Sequence, residues 1–175
     1  MPFTPFHFGP GAAIKAVAPR YFSFTVFCFA QVATDCETAY YMVQGLYPWH
    51  RFFHSYAGAT LVALFSIFVG RPICQFALRT WSQSRDPPFK EYFPTGTIIP
   101  WGSAATAAFV GTYSHVFLDS FMHRDIIPLM PFSVANPLYL LISPGTLHLV
   151  CLMLGVCGVL YVAAHNRKVP GKRDR

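Results

Sequence analysis

Three long stretches without Asp, Glu, Lys or Arg set the terms for this chain: Phe52 to Gly70, Tyr92 to Leu118, and Ile126 to Asn166. About 20 apolar residues span the hydrocarbon core of a bilayer. A composition of 54% hydrophobic and only 11% charged residues favours membrane spans over an ordinary soluble core. The sequence therefore predicts an all-α integral membrane bundle of about four to five helices. The third run exceeds one span and is broken by Pro128, Pro131, Pro137 and Pro144. Its helix is expected at about Pro144 to Ala164, with Ile126 to Ser143 in the interface. Pro19-Arg20 divides the apolar first 34 residues, which reads as an N-terminal helical hairpin with arms at about Pro10 to Ala18 and Tyr21 to Thr34. The start lacks the charged region, clean apolar core and small-residue site of a cleavable signal. Residues 1–166 make one membrane-embedded domain and residues 167–175 a basic cytoplasmic tail.

Orientation follows from the positive charges. Placing the long loop Arg71 to Trp101, the tail and the hairpin tip on the cytoplasmic side puts Lys15, Arg20, Arg71, Arg79, Arg85, Lys90, Arg167, Lys168, Lys172, Arg173 and Arg175 inside. Only Arg51 and Arg124 remain outside. Eleven against two is the bias that the positive-inside rule describes, and topology with anionic lipid then accounts for the net charge of +6. A nucleic-acid partner is not expected, because no recognition motif accompanies the basic residues. The five cysteines show no C-x-x-C pair and lie mostly in apolar segments, where Cys acts as a small hydrophobe. There is no phosphate-binding Gly-rich loop and no G-x-S-x-G elbow.

The topology rests on Lys and Arg alone, yet it gathers other polar residues at one side. His7, Asp35, Glu37, His50, His54, Asp119, His123 and Asp125 all fall near the outer ends of helices, with His115 and His148 about one turn deeper. In "YSHVFLDSFMHRD", His115, Asp119 and His123 recur every four residues and so form one stripe on a helix. The outer two are about 12 Å apart along the axis, so a polynuclear site in which the carboxylate bridges or divides two metals suits the spacing. In "PWHRFFHS", Pro48 can open a helix on which His50 and His54 share a face. Asp35-Cys36-Glu37 supplies hard oxygen ligands at the end of the hairpin, and His7 enters from its other arm. Imidazole with carboxylate suits zinc, with manganese or iron as alternatives. An isolated His on an apolar face is usually a core residue, which is the reading for His148 and His165. The stripe is different, since an aspartate at bilayer depth costs roughly 3 kcal/mol and needs a partner.

The order of "TPFHFGPG", "DCE", "HRFFHS" and "HVFLDSFMH" resembles the bacterial multi-pass proteins called membrane-bound metal-dependent hydrolases, over about Met1 to Asp125. More distantly it is similar to the zinc-dependent phospholipase C and P1 nuclease group. The resemblance implies metal ligation by His7, Asp35, His54, His115, Asp119 and His123, together with His50. It also implies a bacterial inner-membrane location.

The expected function is hydrolysis of a lipid-like or phosphoester substrate by metal-activated water at the outer face, with two or more zinc ions. Asp35 or Glu37 would orient the water, and Arg51 and Arg124 would clamp an anionic phosphate. The alternatives are a metal or proton carrier, whose site belongs near the midplane, and a non-enzymatic membrane adaptor with a structural metal site. The expected partners are membrane lipid and divalent metal ions.

Overall fold

The structure, a computed structural model, describes residues 5–83 and 97–167. Among these it is all helical, without strands. A 3-10 turn at Pro5–His7 leads into α1 (Phe8–Val17), followed by α2 (Phe24–Val43), a second 3-10 turn at Phe52–His54, α3 (Tyr56–Ser82), α4 (Trp101–Met122) and α5 (Pro144–Arg167). Two of the five, α3 and α5, are long and apolar enough to cross a membrane. Residues 84–96 and 168–175, on which the expectations for Arg85, Lys90 and most of the basic tail fall, lie outside the described residues.

The N-terminal pair has the expected hairpin order, but its second arm ends nine residues later than the sequence reading allowed. The side chain of Ser23 caps α2 by accepting the Val26 N–H. From Phe24 to Val43 no Gly or Pro interrupts it. It stops where Gly45 takes a positive φ of 68° and the N–H groups of Gly45 and Leu46 donate to the carbonyls of Met42 and Tyr41, a Schellman ending. Asp35 and Glu37 are therefore helix-interior residues, with two turns of α2 beyond them. The tip is tied down by Lys15, whose Nζ donates to the carbonyls of Pro19 and Phe22.

A second difference concerns Arg71 to Ser82, expected as the start of a loop and found as the continuation of α3. Pro72 has no N–H to donate, which ordinarily ends a helix. Here one π-turn at Ser66–Gly70 shifts the hydrogen-bond register ahead of it, and the helix continues. Arg71 then turns toward the start of α4, where Nε donates to the Ile99 carbonyl and the guanidinium lies 3.9 Å over the Trp101 ring.

Helices α2 and α4 run parallel at close range: Ser23 N–H donates to Ser103 O, and a Cβ on Gly111 would stand 3.1 Å from the Phe27 carbonyl. α3 returns antiparallel to α4, with Thr60 hydrogen-bonded to Tyr113 near one end and Phe68 against Trp101 toward the other. α1 lies along α5, where a Cβ on Gly9 would meet the Cys151 carbonyl at 1.8 Å. The lower half of the bundle is apolar, built on Phe22, Val26, Phe27, Ala63, Ile67, Ala104, Ala107 and Ala108.

Above that layer the pattern inverts. Gln31, Thr34, Asp35 and Thr38 form the buried stripe of α2, and Thr112, His115, Asp119 and Ser120 that of α4. The hydroxyls of Thr34, Thr112 and Ser120 return to carbonyls one turn back, leaving the ionisable groups to one another. Meanwhile Leu149, Val150, Leu152, Met153, Val159 and Leu160 of α5 are exposed.

Candidate metal centre

His54 reaches the interior without a helix beneath it, contrary to the expectation that Pro48 opens one. Asp125 Oδ2 accepts the N–H groups of Trp49 and His50, and only a 3-10 turn forms at Phe52–His54. Ser55 is extended, and its hydroxyl accepts the Gly58 N–H. As N-cap it fixes the start of α3 at Tyr56, after both histidines. The rings of His50 and His54 are nevertheless neighbours, 4.7 Å apart.

The stripe on α4 is also shorter than its spacing suggests. His115 and Asp119 share the inward face, but the helix ends at Met122, and His123 is extended. Asn136 Nδ2 donates to the Ser120 and His123 carbonyls, and Leu140 N–H to that of Phe121. The segment after α4 thus satisfies groups that another helical turn would have used.

Four residues from three segments converge: Asp35, His54, His115 and Asp119, all buried, can each offer one donor atom within 4.8 Å of the others. His115 Nε2 lies 3.3 Å from Asp35 Oδ1 and 3.3 Å from Asp119 Oδ2. His54 Nε2 lies 3.7 Å from each of the same two atoms. At 3.7 Å these are too long for hydrogen bonds. Donor atoms around a tetrahedral ion with bonds of 2.0–2.2 Å stand about 3.3–3.6 Å apart. The quartet therefore has the dimensions of a cation site more than of a hydrogen-bonded network.

Satisfaction of the buried atoms points the same way. His54 Nε2 and His115 Nε2, both enclosed, have no hydrogen-bond partner, an uncommon state for buried polar groups. His115 is oriented from behind, because its Nδ1 pairs with Gln31 Oε1. With that proton placed, Nε2 carries the lone pair toward the quartet. Glu37 stands on the far side of His54, with Oε2 3.9 Å from Nδ1 and accepting the Phe53 N–H at 2.8 Å.

The other expected residues are distributed around this core. His7 is buried with its Nε2 3.3 Å from Asp119 Oδ1, so Asp119 faces His7 with one oxygen and the quartet with the other. His50 and His123 form a separate group with Asp125. Arg51 turns away, donating from Nε to the Pro48 carbonyl and covering the Tyr41 ring at 3.7 Å. Arg124 is exposed in the turn between His123 and Asp125. His148 stacks on Phe6 and stays outside both groups.

In the outer group, burial pushes the His50 imidazole down to about 4, and neighbouring His54 and His123 add to the shift while Asp125 opposes it. Burial alone would raise the Asp125 carboxyl. Its hydrogen bonds and charge attraction with His50 outweigh that and hold it below the ordinary carboxylate value.

Sequence reading missed Gln31 and the role of Asp125. Gln31 had a signal, standing four residues before Asp35 and hence on the same helical face. Asp125 pairs across 75 residues, and no local spacing reveals that. Comparison of the chain with protein-family models, curated proteins and solved structures finds no match.

Proposed function

We propose that the chain is a small integral membrane metalloprotein, zinc-dependent by preference, that hydrolyses a lipid-like phosphoester at the outer face of a bacterial inner membrane. The observation that carries the reading is the Asp35, His54, His115 and Asp119 quartet, with its donor spacing and enclosed imidazole nitrogens. Two carboxylates offset a divalent charge, and two imidazoles suit zinc over the harder cations. A bound divalent cation supplies Lewis acidity, polarising a phosphoryl or acyl oxygen and bringing the pKa of a water toward neutrality. His7, with Nε2 3.3 Å from Asp119 Oδ1, can hold a proton beside it.

The membrane part of the proposal draws on the inverted pattern. An α5 with exposed leucines, valines and methionine along its length, around a polar interior, suits lipid as the surrounding medium. The family expectation carries forward on the four motifs alone. A non-catalytic reading has one observation in its favour: four protein donors complete a tetrahedron, as structural metal sites do.

The test is metal analysis of the purified full-length protein beside Asp119→Asn, with hydrolysis assayed on a generic phosphodiester and a carboxylic ester. The proposal expects stoichiometric metal and phosphodiester cleavage in the wild type, with cleavage and the quartet's ion lost in the variant. Metal without any cleavage would leave the adaptor with a structural site, and absence of metal would remove the proposal.

A further inference from the structure

The inner quartet poses a difficulty for any substrate. Its donors come from residues that are 0–5% exposed, and they fill a four-coordinate shell by themselves. A catalytic cation needs a position that water or substrate can occupy. The structure offers one a short step outward.

We infer that His50, His123 and Asp125 form a second, outer divalent-cation site with an open coordination position, and that substrate oxygen is bound there. This deepens the hydrolase reading and rests on it for the word substrate, although the site itself stands on its own geometry. One donor atom from each residue lies within 4.8 Å of the others. His50 Nδ1 is 3.0 Å from Asp125 Oδ1, which is about the separation of adjacent donors around an octahedral ion with bonds near 2.1 Å. The His50 and His123 rings are 4.2 Å apart.

The outer group differs from the inner one in three ways that matter for chemistry. It has three protein donors, so a four- to six-coordinate ion keeps at least one position for a ligand from outside. It is less enclosed: His50 is buried and the Asp125 side chain is 9% exposed, but His123 is half-buried. It is also anchored, since Asp125 Oδ2 accepts the Trp49 and His50 N–H groups and so joins the loop before α3 to the turn after α4. That anchoring orients the carboxylate before any ion arrives, as hydrogen bonds behind a metal ligand do. Contact between the His50 and His54 rings makes the two groups neighbours across one layer of imidazoles. The same Asp125–His50 contact would serve as a hydrogen bond if the group were only a clasp between two loops, and the experiment must separate the two.

Purified full-length protein in detergent is titrated with Co(II), whose visible absorption reports ligand number, and the stoichiometry is measured after desalting at saturation. Two ions are expected for the wild type and one for each of His123→Gln, Asp125→Asn and Asp35→Asn. Asp125→Asn keeps an oxygen for the Trp49 and His50 N–H groups, so a mere clasp would tolerate it with the ion count unchanged from the wild type. Inorganic phosphate is the probe for the open position: it should shift the Co(II) spectrum of the wild type and leave that of His123→Gln unchanged. One ion in the wild type, lost in Asp35→Asn and kept in His123→Gln, would overturn the outer site while leaving the inner centre standing. Two ions in His123→Gln and Asp125→Asn would also overturn it. A phosphate response that survives in His123→Gln would overturn the open position.

Discussion

Asp119 holds the key position among single residues because its two oxygens look in different directions, one toward His7 and the other toward His54 and His115. Replacing it with Asn conserves size and removes the anion, so a packing role and a ligand role separate. Asp119→Asn is expected to insert and fold normally and to lose the quartet's ion, whereas His148→Gln, stacked on Phe6 outside both groups, retains it. Full metal in Asp119→Asn would mean that the quartet is not the ligand set. Gln31 acts one step further back. Gln31→Leu removes the acceptor that sets the His115 tautomer, and a chelator competition should show metal affinity lower by about 10–100-fold. A third expectation concerns the metal-free protein. His50 titrates near 4 when folded against 6.5 when free, so below about pH 6.5 the unfolded chain binds a proton that the folded one refuses. The contribution of His50 to stability is thus fully present above about pH 6.5 and is lost as the pH drops toward 4. Thermal unfolding of chelated protein should track this, with a flatter profile in His50→Asn. At this scale most residues of the two candidate groups were legible in the sequence, because carboxylates and imidazoles in apolar surroundings stand out. Their division into two groups was hidden, since it depends on where α4 stops and on which loop Asp125 clasps.

Elements were legible where a local signal ends them and misread where a distant contact does. Pro144 and the charge-free run beyond it announced α5, and the hairpin order followed from Pro19-Arg20. The extension of α2 past Thr34 had its own signal in Gly45, whose positive φ closes the helix. By contrast, the π-turn that carries α3 past Pro72 leaves no mark in the sequence. Nor does the capping of α4 by Asn136, sixteen residues after Ser120. The α1–α5 contact makes a prediction at this scale. A Cβ at Gly9 would meet the Cys151 carbonyl at 1.8 Å and one at Gly158 the Ala12 backbone at 2.8 Å, so α1 must move away if either glycine is enlarged. Because His7 directly precedes α1, Gly9→Val should lower the unfolding temperature in detergent, with overpacking costing about 1–3 kcal/mol. Loss of the His7–Asp119 contact should accompany it. An unchanged melting temperature would mean that α1 does not seat on α5 as described.

For the whole molecule, the distribution of polarity matters more than any one helix. The interior of the upper half holds Gln31, Asp35, His54, His115 and Asp119, while exposed surface includes Phe132, Val134, Leu141 and most of α5. In water that arrangement would leave a large apolar area unburied. In lipid it becomes favourable, with the ionisable groups paired inside. The positive charges then give the arrangement a direction. Lys15 and Arg20 lie at the hairpin tip, and Arg71 and Arg79 at the lower end of α3, on the side away from the quartet; Arg51 and Arg124 lie on the quartet's side. Placing the first set inside puts both candidate metal groups toward the outer leaflet, where the outer group opens. A reporter fused after Arg175 should therefore be active only when it reads cytoplasmic exposure, and one inserted at Gly45, whose Cβ direction is open space, should read the outside. The opposite pair of results would invert the molecule. The proposed substrate would then have to approach from the cytoplasm, although the chemistry of the two groups would be unaltered.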